Sequence, residues 1–247
     1  MLAVRAGWNY HYEPDPCPAR ARREEFSAVF SAVFGVTIGM RTKLFAALAL
    51  TAAVVVGAPA QAQQSGDAER GYVLSDTCMG CHGIRGHRNA FPTFRVPKLG
   101  GQHERALYLA LVGYAERNRS HPTMYAQSAT LTDQDKLDIA AWFASLGEPR
   151  SGREDRGPRV ERGREKAATC AACHGQDGIS PNPEWPSLAG QHESYLLHTL
   201  RQYQNGERED PVMAGLVANL SDEDLRDLSA FYAAQPGLFT TRARDVR

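Results

Sequence analysis

Two stretches of the chain, Cys78-Met79-Gly80-Cys81-His82 and Cys170-Ala171-Ala172-Cys173-His174, set two thiols three residues apart with a histidine directly after the second. On a turn opening into helix, such thiols can each add to one vinyl group of a single porphyrin. The adjoining imidazole then meets the iron, and C-x-x-C-H is the attachment signature of c-type haem. Other chemistries of paired cysteines fit less of the pattern. A thioredoxin-type site wants a βαβ setting, which is missing here. A zinc site would have to bring both pairs together and would leave both histidines unexplained. A disulfide across C-x-x-C suits an oxidising compartment but would not ask for His twice.

His82 and His174 are therefore the expected axial ligands, and a sixth ligand is needed for each iron. Met79 lies inside the first motif, but Met124 and Met213 fall at matching places, 42 residues after His82 and 39 after His174. Each follows a proline by two residues on what reads as a turn free of helix. A lone methionine there would be core filler; duplication points to His/Met ligation. Spare histidines are the rivals. His87, His121 and His198 have no counterpart, while His103 and His192 follow Gly-Gln at a helix start and read as surface or supporting groups. An axial imidazole also needs an acceptor at its other ring nitrogen. Pro97 and Pro186, 15 and 12 residues after the two histidines, each offer a carbonyl.

These positions match because the whole unit is duplicated. Glu69-Arg70-Gly71 before Cys78 returns as Glu161-Arg162-Gly163 before Cys170, an offset of 92. Beyond the cysteines the offset is 89: Pro97 to Glu104 matches Pro186 to Glu193, Tyr114 matches Tyr203, Arg119 matches Arg208, and Leu131-Thr132-Asp133 matches Leu220-Ser221-Asp222. The first copy carries three extra residues around Arg88-Asn89-Ala90. Thr132-x-x-Asp135 and Ser221-x-x-Asp224 predict capped terminal helices, and Leu107, Leu111 and Tyr114, with Leu196, Leu200 and Tyr203, predict a middle helix. Gly71 and Gly163 are expected to let another helix approach closely, against Trp142-Phe143 and Phe231-Tyr232. No stretch alternates long enough to predict a strand, so both copies read as mainly α.

The chain has 247 residues, 43% hydrophobic, with 28 Lys and Arg against 28 Asp and Glu. That excludes low-complexity and multi-spanning membrane classes and gives no excess of positive charge for nucleic acid. From Met40, two basic residues, an apolar run from Leu44 to about Gly57 and Ala60-Gln61-Ala62 form a secretory leader. Cleavage near Ala62 would start the mature protein near Gln63, leave 1–39 (with Cys17) as a mis-assigned upstream extension, and place the protein in the periplasm. A second apolar stretch, Phe26 to Ile38 after Arg22-Arg23, is a rival leader without a cleavage site. The expected domains are 63–147 and 159–247, joined by a Gly-, Pro- and charge-rich linker over 148–158.

Two C-x-x-C-H motifs, each followed by P-x-L-x-G-Q, a middle helix, R-x-x-P-x-M and a terminal helix with paired aromatics, resemble the class I cytochrome c fold duplicated as in the dihaem cytochrome c4 family. The resemblance covers about 65–236. It implies two covalently attached haem c groups facing each other across a pseudo-twofold domain interface, and a monomeric periplasmic electron carrier without catalysis of its own. Its implied partners are redox proteins such as a quinol-oxidising complex or a terminal oxidase, with the membrane met only through them. The alternatives are the haem subunit of a periplasmic dehydrogenase complex and a dihaem peroxidase or sulfur-oxidising enzyme with one open iron. Ala106 stands where the second copy has Tyr195, so the surroundings of the two haems are expected to differ.

Overall fold

Residues 65–147 and 157–241 are described by the computed structural model. The leader over 40–62, residues 1–39 with Cys17, the start near Gln63, the linker residues 148–156 and the tail 242–247 lie outside the described residues. Within them the chain is helical, with only three isolated antiparallel bridges, and no helix is long and apolar enough to cross a membrane. The first domain holds α1 (Ala68–Leu74), α2 (Asp76–His82), α3 (Glu104–Ala115), α4 (Pro122–Ser128) and α5 (Asp133–Ser145). The second repeats them as α6 (Pro158–Lys166), α7 (Ala168–His174), α8 (Glu193–Asn205), α9 (Pro211–Val217) and α10 (Asp222–Ala234). Pro158, expected in the linker, is already the first residue of α6, where the amide it lacks has no intrahelical partner to lose.

The terminal helices start on reciprocal capping boxes. Thr132 Oγ1 and Ser221 Oγ each accept the amide of the aspartate three residues on, at 3.1 Å, and that carboxylate accepts back from the cap. α1 packs on α5 and α6 on α10 so closely that a Cβ on Gly71 would lie 1.9 Å from the Asp138 carbonyl oxygen, and one on Gly163 2.1 Å from that of Asp227. The helix approach foreseen at these glycines is thus made to backbone; Trp142 and Phe231, one turn further, come next. Arg70 caps the first crossing onto the buried Asp138 and onto Asp135. Arg162 and Lys166 cap the second onto the buried Asp227, at 2.9 and 2.8 Å. Below each crossing lies a small apolar core, Leu107, Ile139, Ala140, Trp142 and Phe143 in the first domain and Leu196, Leu228, Phe231 and Tyr232 among others in the second.

The repeat offset reappears as symmetry in space. Arg119 and Arg208, equivalent residues, form an antiparallel bridge with each other; Ser120 N donates to Glu207 O at 2.9 Å and Glu209 N to Asn118 O at 2.7 Å. Gln102 holds the backbone of Ser187 through both ends of its amide, at 2.9 and 3.0 Å, and Gln191 holds that of Lys98 identically, at 2.9 and 3.0 Å. A residue meeting its own repeat counterpart, flanked by reciprocal pairs, marks a pseudo-twofold axis. The second domain also adds an unreciprocated strap, in which Phe239 pairs with Gly100 and the buried Thr241 hydroxyl reaches Met79 Sδ at 3.6 Å.

Candidate haem-binding site

Each C-x-x-C-H motif forms a seven-residue helix, α2 or α7, that ends on its histidine. Cys78, Cys81, Cys170 and Cys173 are half-buried and form no disulfide with one another. Among the described residues no three or more His, Cys, Asp or Glu side chains gather as a metal site, so the two cysteine pairs do not converge as a zinc centre would require. Both histidines are buried, His82 8% and His174 7% exposed. His82 Nδ1 lies 2.8 Å from the Pro97 carbonyl oxygen and His174 Nδ1 2.9 Å from that of Pro186. A carbonyl can only accept, so each Nδ1 carries the proton and donates it; each Nε2 keeps its lone pair for a metal. Burial pushes both imidazolium forms down, opposed by the proline carbonyls and, for His174, by the charge of Asp210. The rings are therefore neutral, as a ligand must be.

Met124 and Met213 do not sit on a bare turn. Each is the third residue of a short helix, α4 or α9, opened by Pro122 or Pro211 and packed on the middle helix of its domain. The helix forms because the residue before each proline is extended and caps it. His121 Nδ1 accepts from Met124 N at 3.1 Å, and Asp210 Oδ1 accepts from Met213 N at 2.9 Å and Val212 N at 3.0 Å. Met79 stands apart, under the strap. His103 is not a free surface group: it precedes α3 and its Nε2 lies 2.9 Å from Ser180 O in the other domain. His192, before α8, is held down to about 4 by burial and the positive charges of Lys98, Arg95 and Arg88. His198 stacks on Phe94 at 4.2 Å.

The interface itself asks for an anion. Arg208 is 6% exposed and its Nε is buried with no partner. Arg119 lies beside it, its charge disfavoured by burial and by Arg208. Among the described residues no carboxylate pairs with either; their neighbours are Tyr114, Tyr195 and Tyr203. Burial pushes Tyr114 up to about 12, whereas for Tyr195 the two guanidiniums outweigh burial and bring it down to about 8. A buried guanidinium, Arg208, beside a half-buried one, Arg119, is costly without a counter-charge, and haem carries propionates of the missing sign. Paired thiols, Nε2 lone pairs and an unpartnered Arg208 Nε–H thus fit the group that the motif implies.

Sequence reasoning missed the interface glutamines, the Asp138 and Asp227 anchors, the arginine pair and the two caps. A signal existed for most of them: Gln102/Gln191, Arg119/Arg208 and Asp138/Asp227 all recur at the offset of 89.

The family model for cytochrome c matches residues 68–147 and again 160–233. Cytochrome c4 of Stutzerimonas stutzeri is 30% identical over 213 residues, 76% of this chain and 97% of that protein. Cytochrome c4 of Pseudomonas aeruginosa is 52% identical over 73 residues, 30% of this chain and 36% of that one. The crystal structure of reduced recombinant cytochrome c4 from Pseudomonas stutzeri superposes with a TM-score of 0.58 at 31% identity, covering 69% of this chain and all of that one. With two matched C-x-x-C-H helices and a doubled cytochrome c fold, the chain belongs to the cytochrome c4 family of electron carriers with two covalent haem c groups.

Proposed function

We propose that the protein is an exported, periplasmic one-electron shuttle in which His82 and Met124 ligate the iron of the first domain and His174 and Met213 that of the second. What supports this most is that each domain supplies, at repeat-matched positions, one buried neutral imidazole oriented by a proline carbonyl and one methionine on a capped helix. Bound haem supplies a reversible ferrous–ferric couple, raised in potential by a thioether ligand. The chain's own part is mechanical and electrostatic. Proline carbonyls fix the imidazoles so that bond directions hold through the change of charge. Met124 and Met213, on their capped helices, would hold the iron through a thioether in place of a small substrate. Arg208, buried, and Arg119, half-buried, would offset propionate charge. Respiratory redox proteins, such as a quinol-oxidising complex and a terminal oxidase, are the donors and acceptors this arrangement suits, and the leader at 40–62 would deliver it to them.

A pyridine haemochrome spectrum with intact mass of the periplasmic protein should give two haems on a chain starting near Gln63. The oxidised protein should be low-spin at both irons, with the weak Fe(III)–thioether absorption near about 695 nm. Met124→Ala and Met213→Ala should each remove one share of that band. A high-spin iron in the wild type, or a band that survives both substitutions, would make a spare histidine or water the ligand.

A further inference from the structure

Repeat-equivalent residues cap the two methionine helices, and they differ in charge. Position 121 is histidine and position 210 is aspartate, and each side chain accepts a hydrogen bond from the amide of the methionine itself, at 3.1 and 2.9 Å. In the first domain the capping atom is Nδ1, which can accept only when unprotonated; the ring proton then sits on Nε2 and the imidazole is neutral. Nε2 lies 3.2 Å from Asn89 Nδ2; because Nδ1 already accepts, Nε2 carries the ring proton, and the Asn89 amide must be turned over to present its oxygen to it. Phe94 and Tyr114 stand edge-on to the ring, with centroids 6.0 and 6.3 Å away. Burial further disfavours a charged His121. In the second domain the cap is a carboxylate, whose Oδ1 accepts from both Val212 N and Met213 N at 3.0 and 2.9 Å. Its field crosses the site, since the Asp210 charge also acts on the His174 imidazole. Arg119 and Arg208 stand two residues before the two caps alike, but the second domain also carries Glu207 and Glu209 where the first has Asn118 and Ser120, so the contribution of the cap itself is isolated by substituting it alone. Asn89 belongs to the three-residue insert that the second copy lacks, which gives the insert a purpose: it orients an uncharged cap.

We infer that His121 and Asp210 are positioning residues that offset the two haem potentials, the Asp210 carboxylate favouring the ferric state of the second haem while the neutral His121, held by Asn89, leaves the first haem without that bias. This rests on the methionine ligation proposed above. A lone electron on the protein is then drawn toward the first domain by the cap difference.

The test is a spectroelectrochemical titration of the two-haem protein at pH 7, each haem assigned by the methyl resonance of its own methionine. Asp210→Asn keeps a good cap and removes the charge. It should shift the electron-sharing equilibrium about fivefold toward the second haem, about 40 mV for a one-electron couple at 59 mV per tenfold. His121→Asp should lower the first haem's potential, and the double swap should reverse the offset. His121→Asn, which caps without charge, should leave it in place. No shift in Asp210→Asn with both thioether bands intact overturns the inference, as does an equal shift in His121→Asn and His121→Asp, which would make the effect structural. A wild type without thioether bands overturns the ligation reading itself, and this inference with it.

Discussion

Where α1 crosses α5 and α6 crosses α10, the two domains are close replicas. The same glycine meets the same backbone carbonyl, the same buried aspartate receives an arginine, and the capping boxes agree to a tenth of an ångström. Between the cysteines and the methionine helix they part. The first domain has a hairpin closed by Asn89 N to Phe94 O at 2.9 Å and Val96 N to His87 O at 3.0 Å; the second has none, and it has Tyr195 for Ala106 and Asp210 for His121. The reason lies in tolerance. A helix crossing with no room for one methyl group admits no drift, whereas a loop lining a cofactor can change and still close. Divergence has therefore collected where it can make one redox site unlike the other.

The largest effect should come from stripping one domain of its cofactor. Cys170→Ala with Cys173→Ala should cost one haem by mass and unfold most of the second domain, because a unit of this size has too small a core to stand alone. The first domain should survive but lose the strap at Gly100 and Met79, seen as faster amide exchange at Gly100. A second domain fully folded without haem would break the comparison at its root.

Next come the crossings. Gly71→Ala and Gly163→Ala should each destabilise by about 3 kcal/mol, since backbone must retreat from the new methyl; equal falls in thermal midpoint would sharpen the likeness, and tolerance of one alone would end it. The aspartates below them follow. Burial works against the charge of Asp138, but the Asp67 amide, Gln134 and Arg70 hold its carboxyl below the ordinary 3.8, and Arg162 leads in doing so for Asp227. Groups depressed in the folded state contribute stability above their unfolded values and lose it as pH falls through the folded ones. Acid unfolding should thus steepen below about pH 4, and Asp138→Asn or Asp227→Asn should flatten that limb and cost about 2 kcal/mol at pH 7, read from urea midpoints across pH.

The smallest effect concerns a turn. Arg117 has φ +65°, the left-handed conformation that its equivalent, Gly206, adopts without strain at +78°. Arg117→Gly should therefore stabilise the first domain by about 0.5 kcal/mol, less whatever its stacking on Tyr125 at 3.9 Å contributes. A loss of stability would show that the stacking outweighs the strain.

The helices, the doubling and the haem attachment were legible in the sequence because each depends on spacing along one segment. Thr132 and Asp135 announce a capping box by themselves, and Cys78, Cys81 and His82 announce their chemistry. What was not legible depends on the partner across space. Gln102 reads as one polar residue among many until Ser187 faces it, and His121 reads as a spare histidine until its ring is found beneath the amide of Met124. The proline before each methionine misled, because Pro122 and Pro211 read as turn residues when their fixed φ in fact starts a helix.

The pairing of Arg119 with Arg208 has a consequence for ancestry and for design. A patch that meets its own copy is self-complementary, which is the geometry of an isologous homodimer. Each half of this chain still carries both sides of that contact: a glutamine that grips and a backbone segment to be gripped. Two separate copies of one half could close the same surface; within one chain the halves meet at a higher effective concentration and need not be identical in sequence. A difference such as His121 against Asp210 then occurs once per molecule instead of twice, and a self-complementary surface can join two unlike sites.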